Sequence, residues 1–258
     1  MKLDIRGYFM NINRRILLKI ASDSIIRMSS HKISKHGVTR WGDILDIDFI
    51  LWLTKLIVLI NPIEDCEIIC NTNQWMGLDR NKSLFCVSEG CGLPIGNLTS
   101  QLFSNVYLNL LDQFMKRILG CRFYGRYVDD AYIVSSDKEW ILSTVHKIRM
   151  FLRNELHLDL HMGKLMVEEV NYGIEFLGGF IKPYRNYVSR HTVNRMLIKL
   201  NGKDGTAYDK MYCTINSYLG MLSHYSSYNV KKDIFMKEKY LRISSYDSTM
   251  SKMYKVAC

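Results

Sequence analysis

The sequence predicts an α+β fold: antiparallel strands paired as hairpins, with helices on one face, leading into a basic helical tail. Three observations carry this. Residues 121–136 set two apolar-aromatic runs either side of Asp129 and Asp130, a spacing that leaves room only for a tight turn. Strand-like runs come in pairs between stretches of helical period, where a doubly wound sheet would alternate them strictly. The end of the chain then changes character. From residue 190 to 258 there are 12 Lys/Arg against 5 Asp/Glu, so +7 of the formal +10 lies there.

In order, residues 1–8 read as a short apolar strand carrying one acid, Asp4, broken by Gly7. Asn11 or Asn13 can cap a helix to about residue 28, with Ile16, Leu17, Ile20 and Ile25 on its apolar stripe. A polar connection, 31–40, precedes an apolar helix over 42–60 that ends at Asn61–Pro62. Residues 64–92 are irregular. Gly92–Leu93–Pro94–Ile95–Gly96 is a stiff turn that delivers Asn97 as the cap of a helix to about residue 119, with Leu102, Val106, Leu110 and Phe114 along one line. Gly120 ends that helix and the acidic hairpin follows. Asp137 caps a helix over 138–156 with Ile141, Val145, Ile148 and Leu152 inward. Residues 158–160 and 165–167 read as a strand pair around 162–164, and 174–181 with 186–189 as a hairpin across 182–185. Beyond residue 190, 192–200 and 215–228 are the clearest helices.

Composition narrows the function classes. At 258 residues and 48% hydrophobic, the chain can bury a sizeable core in one large or two small domains. Its positive charge suits a polyanionic partner. Seven cysteines without a CxxC pair argue against a zinc centre and for the reduced thiols of a cytoplasmic protein. The longest apolar run, 49–60, is interrupted by Lys55 and too short to span a bilayer, so no membrane partner is expected.

The acidic turn points to chemistry. Adjacent carboxylates raise each other's pKa unless a cation lies between them, and oxygen ligands suit Mg²⁺. If the first strand lies beside the hairpin, Asp4, Asp129 and Asp130 converge. Three carboxylates can hold two Mg²⁺ ions, with Mn²⁺ as a substitute, and such a pair activates a hydroxyl while stabilising a departing pyrophosphate.

At this point the chain resembles the reverse transcriptases of bacterial retroelements. The resemblance rests on Asp4–Ile5–Arg6–Gly7–Tyr8–Phe9, on Tyr127–Val128–Asp129–Asp130, on Gly163–Lys164 and on Phe176–Leu177–Gly178–Gly179, in the family's order and spacing. Ile95–Gly96 with Ser100–Gln101, Ser83–Leu84–Phe85, and Asn216 to Gly220 are similar to the enzymes of diversity-generating retroelements. Group II intron enzymes usually carry Gln–Gly and Ser–Pro in the Ile95–Gly96 and Ser100–Gln101 places. A group II intron or retron-type enzyme is the alternative reading, and an inactive fragment that only binds nucleic acid is another.

The resemblance implies an RNA-directed DNA polymerase with a palm over 1–189 and a helical basic thumb over 190–258. The chain opens three residues ahead of Asp4, so the fingers that precede this motif in the family are expected to be largely absent, an N-terminal truncation. By resemblance, Asp4, Asp129 and Asp130 would hold the metals together with the Ile5 carbonyl, and Lys164 would protonate the leaving pyrophosphate. Phe9 would crowd a ribose 2′-hydroxyl, and Ile95, Gly96 and Gln101 would shape the nucleotide pocket. Phe176, Leu177, Gly178 and Gly179 would grip the primer. Arg190, Arg195, Lys199, Lys203, Lys231 and Lys232 would meet phosphates of the hybrid. The implied partners are template RNA, a DNA primer or cDNA, dNTPs and an accessory protein of the retroelement.

Overall fold

The computed structural model describes residues 1–34, 37–64, 66–69, 71–79, 82–201, 208–236 and 244–255. The chain is α+β and divides into two compact units, Met1–Val167 and Glu168–Cys258, each with its own apolar core. The division falls 22 residues before the expected 189/190 boundary. The reason is local: the strands after residue 173 hydrogen-bond to the helical segment that follows them, as through Ser226 N–H, in a loop between two of its helices, to the Asn186 carbonyl at 2.8 Å.

The first unit is built on a three-stranded antiparallel sheet. Strand β1 (Lys2–Leu3) lies beside β3 (Asp130–Val134), which pairs with β2 (Phe123–Tyr127). Leu3 faces Ala131, and Tyr127 faces Asp130 across the turn. Leu3 and Ile5 are buried while Lys2, Asp4 and Arg6 are not, the alternation of a strand with one face on a core. The expected pairing of 158–160 with 165–167 does not form. Both segments instead line the free side of β1, Leu160 opposite Ile5 and Met166 opposite Lys2, with a 3₁₀ turn at Met162–Lys164 bulging between them. The unpaired backbone of β1 attracts both halves, giving a hydrogen bond at each end, Arg6 N–H to Asp159 and Lys2 N–H to Met166.

Helices cover the buried face. Gly7 turns the chain through a left-handed conformation into a short helix α1 (Tyr8–Asn11), and Asn13 then caps α2 (Arg14–Ser29) with its side-chain oxygen. Helix α3 (Ile47–Leu59) is apolar apart from Asp48, Thr54 and Lys55. It buries Thr54 and Val58 and leaves Phe49, Trp52 and Leu56 exposed. In α5 (Lys138–Leu156), Asp137 caps the first turn, and Ile141, Ile148 and Leu152 point inward as expected.

Helix α4 (Leu98–Gln113) turns a different face to the core. Leu102 is 60% exposed, whereas Ser104, Tyr107, Leu108 and Leu111 are buried. Hydrogen bonding sets this rotation. The Tyr107 hydroxyl donates to the Leu156 carbonyl at the end of α5, 2.7 Å away, and the Tyr8 hydroxyl reaches the Ser104 carbonyl. A π-turn over Phe114–Ile118 then shifts the phase of the helix, and Phe114 stacks on Phe151 with ring centroids 4.2 Å apart.

In the second unit, residues 174–188 form a meander of three strands, β4 (Ile174–Phe176), β5 (Gly179–Lys182) and β6 (Arg185–Val188), where the sequence predicts one hairpin. The additional turn falls at Leu177–Gly178, inside the expected first strand. Helices α6 (Arg190–Asn201), α7 (Tyr208–Leu222) and α8 (Tyr228–Phe235) follow. A hairpin of β7 (Ser244–Tyr246) and β8 (Met253–Lys255) closes the unit, so the tail is not helical throughout. The Asn216 amide of α7 pairs with the Met253 backbone, accepting from its N–H at 2.8 Å and donating to its carbonyl at 3.3 Å. No helix among the described residues is long and apolar enough to cross a membrane. Cys66, Cys86, Cys91, Cys121 and Cys213 carry free thiols; Cys70 and Cys258 lie outside the described residues.

Candidate active site

The β2–β3 turn presents its acids by a strained route. Val128, the first central residue, has φ +57°, the left-handed conformation that a type II′ turn usually gives to glycine. A β-branched residue there costs roughly 1–3 kcal/mol unless its surroundings impose it. Arg126 imposes it. Its Nη1 donates to the Val128 carbonyl at 2.7 Å, while Nε and Nη2 form a two-pronged pair with Asp112 of α4 at 2.8 and 2.6 Å. Tyr124 donates its hydroxyl to the same carboxylate at 2.7 Å. Sequence reasoning missed this network. The available signal was Asp112, the one charged residue of α4.

Asp129 follows Val128 and is more than half buried. Burial pushes its carboxyl above the usual carboxylate range, and the nearby charges of Asp4 and Asp130 add to the shift while Lys164 opposes it. The three acids and Lys164 therefore share one electrostatic neighbourhood. Lys164 Nζ donates to the Asp4 carboxylate at 2.9 Å, across 160 residues of sequence, and this bond raises the lysine's own pKa. Lys2 Nζ lies 3.5 Å from Asp130. Among the described residues, no group of three His, Cys, Asp or Glu is arranged to ligate a metal ion. Two of the three acids have ammonium counter-ions instead. The donor set is all-oxygen and negative, the kind a hard cation takes, and burial followed by the neighbouring Asp4 and Asp130 charges disfavours the ionised form of Asp129.

Around these acids, Ile5 is buried and backbone-paired with Leu160. Phe9 sits in α1, packed against the core and edge-on to Tyr8 at 5.4 Å. The Phe9 and Ile12 carbonyls accept from the N–H groups of Leu93 and Gly92, which ties the 92–96 turn to α1. Ile95 and Gln101 are exposed. Gly96 has φ +105°, and no atom lies within 4 Å of where a Cβ would stand, so the chain there is open to close approach from outside.

The remaining expected site residues belong to the second unit. Leu177 and Gly178 both have positive φ, 51° and 80°, as in a type I′ turn. The Tyr225 hydroxyl donates to the Leu177 carbonyl, and Thr192 Oγ1 to that of Gly178, each at 3.0 Å. A Cβ on Gly179 would stand 2.4 Å from the Tyr225 ring, so this position requires glycine. The turn borders a groove of about 830 Å³ that Arg195, Lys199 and Tyr218 also line. Arg190 and Lys232 are exposed. Lys231 is not available to phosphates. It is only 5% exposed, and its Nζ donates to the Thr249 carbonyl at 3.1 Å. It shares the helix face of Ile234 and Phe235, which packs into the core, so its stem is covered and its head caps the C-terminal hairpin loop. Lys203 lies outside the described residues.

No protein-family model matches this sequence, and a search of curated proteins gives no significant match.

Proposed function

We propose that the chain is an RNA-directed DNA polymerase of a diversity-generating retroelement, copying template RNA into cDNA. The observation that supports this best is the meeting of Asp4, Asp129, Asp130 and Lys164 at one place, from three separate segments. In this reading Asp4, Asp129 and Asp130 would hold two Mg²⁺ ions, which would supply charge neutralisation and ease ionisation of a primer hydroxyl. The primer 3′-hydroxyl gives its proton to water, and its oxygen bonds to the α-phosphorus of a dNTP as the bond to the bridging α,β-oxygen breaks. Pyrophosphate leaves with that electron pair.

The chain's own residues have separate parts. Arg126 and Asp112 fix the Val128 backbone and so aim Asp129. Lys164, an ion-pair partner of Asp4, would protonate the leaving group. Phe9, on its short helix, limits the space for a ribose 2′-hydroxyl. The groove bordered by Leu177, Arg195 and Lys199 suits a phosphodiester backbone.

A second reading, binding of nucleic acid without catalysis, draws on Lys164 and Lys2, which already neutralise Asp4 and Asp130. Primer extension on an RNA template, followed by product sequencing, separates the possibilities. Extension with errors concentrated opposite template adenines is expected. Evenly spread errors would move the assignment to a group II intron or retron-type enzyme, and absence of any product would leave the binding reading.

A further inference from the structure

Helix α3 is anchored at both ends. Asp46 accepts from the Phe49 N–H at 3.0 Å, and the buried Arg14 donates its Nη1 to the Ile60 carbonyl at 2.6 Å. With Thr54 and Val58 also buried, the helix is firmly seated on the first unit, and its outward face is a fixed surface. That surface is apolar. Phe49, Trp52, Leu56 and Leu59 recur at intervals of three, four and three residues, which makes one stripe, and each is between 39% and 54% exposed. Leu53 and Ile60 widen the stripe along one edge. Along the other edge stand Asp48 and Lys55, two helical turns apart, both exposed and in no ion pair among the described residues.

We propose that this face pairs with the same face of a second copy of the chain, the two α3 helices running antiparallel about a twofold axis. Charge selects both the partner and the direction. In a heptad stripe of this kind, Asp48 and Lys55 hold a flanking position that meets its own kind when two helices are antiparallel, and meets the opposite flank when they are parallel. Antiparallel pairing therefore sets Asp48 of each copy against Lys55 of the other, two ion pairs related by the axis. Parallel pairing would press both charges onto Leu53 and Ile60. The antiparallel register also brings Phe49 against Trp52 of the second copy, so that symmetry gathers four rings at the axis. Within one copy these two rings already lie 5.6 Å apart. The six half-exposed apolar side chains offer on the order of 600 Å² per copy, about 1,200 Å² for the pair, which suits a specific but reversible dimer. A membrane surface fits less well, because helices that lie on one carry a basic polar face, and α3 has Lys55 alone. The pairing is independent of the polymerase reading.

The test is the mass of the full chain by light scattering after size exclusion, from about 1 to 100 µM, the range expected for an interface of this size. Wild type should pass from one copy to two as concentration rises. Asp48→Lys and Lys55→Asp each turn two attractions into two repulsions and should weaken the dimer about fivefold to thirtyfold. The double variant Asp48→Lys/Lys55→Asp exchanges the charges and should return to within about threefold of wild type. Trp52→Glu places like charges beside the axis and should abolish the dimer, with circular dichroism confirming that every variant is folded. Masses growing beyond two copies overturn the proposal, as does a dimer that the single reversals leave unchanged or the double variant fails to restore. A mass of one copy at every concentration overturns it too, and Trp52-dependent cosedimentation with anionic phospholipid vesicles would then assign the face to a membrane.

Discussion

The Val128–Asp129 turn of the first unit and the Leu177–Gly178 turn of the second meet the same steric problem with different chemistry. Each places a bulky aliphatic residue at positive φ, and each has that residue's carbonyl taken by a side chain from its own unit. At Val128 the donor is a guanidinium, only 8% exposed and tied to Asp112 by two hydrogen bonds. At Leu177 it is a neutral tyrosine hydroxyl near solvent. The ionic arrangement is rigid and intolerant, and it sits beside the acids, where small displacements matter. The hydroxyl arrangement is adjustable and borders an open groove. What the difference teaches is that left-handed aliphatic residues persist where a side chain fixes the carbonyl, and that the strength of that grip follows what the turn presents.

This contrast breaks most visibly at Asp112. Asp112→Ala strands the Arg126 charge in a largely buried place and should cost about 3–5 kcal/mol in denaturant unfolding. A cost below 1 kcal/mol would mean that the network is not what holds the first turn. Gly179→Ala pushes a methyl group into the Tyr225 ring and should cost about 1–3 kcal/mol, with Gly179→Ala/Tyr225→Ala less destabilised than the two single changes summed. Tyr225→Phe removes one neutral hydrogen bond and should cost about 1 kcal/mol. The smallest effect belongs to Val128→Gly, where relief of strain offsets lost packing to within about 1 kcal/mol.

Much of the fold can be read from the residues. Asn13 and Asp137 announce their helices because a side-chain oxygen before an apolar period has few other uses. The acidic hairpin is legible because no other structure fits so short a gap. Two features are not. The buried face of α4 is chosen by the hydroxyls of Tyr107 and Tyr8 reaching distant carbonyls, a tertiary effect that apolar periodicity does not contain. The Leu177–Gly178 turn interrupts an apolar run without the Asn–Gly or Gly–Gly pair that usually marks a type I′ turn. For the candidate site, the acids and Lys164 were visible as residue types, but the ion pairs Asp4–Lys164 and Asp130–Lys2 depend on which strands become neighbours. Lys231 shows the same limit from the other side, since charge count alone does not reveal that a lysine is covered.

Asp129 links this comparison to function. Its carboxyl is raised by burial, so the folded state holds its proton more tightly than the unfolded chain does. Stability from this group is therefore greatest at acidic pH and falls as pH rises from the ordinary carboxylate range through the raised folded value. Asp129→Asn should flatten that decline and raise Tm at neutral pH. Added Mg²⁺ should raise the Tm of wild type and not that of the variant.

The most direct test of the central claim is single-nucleotide addition to a DNA primer on an RNA template in Mg²⁺, with wild type and Asp129→Asn compared at equal concentrations of folded protein. A site that works through these carboxylates predicts addition by wild type and only background from the more stable Asp129→Asn. Equal addition by the two proteins would contradict it.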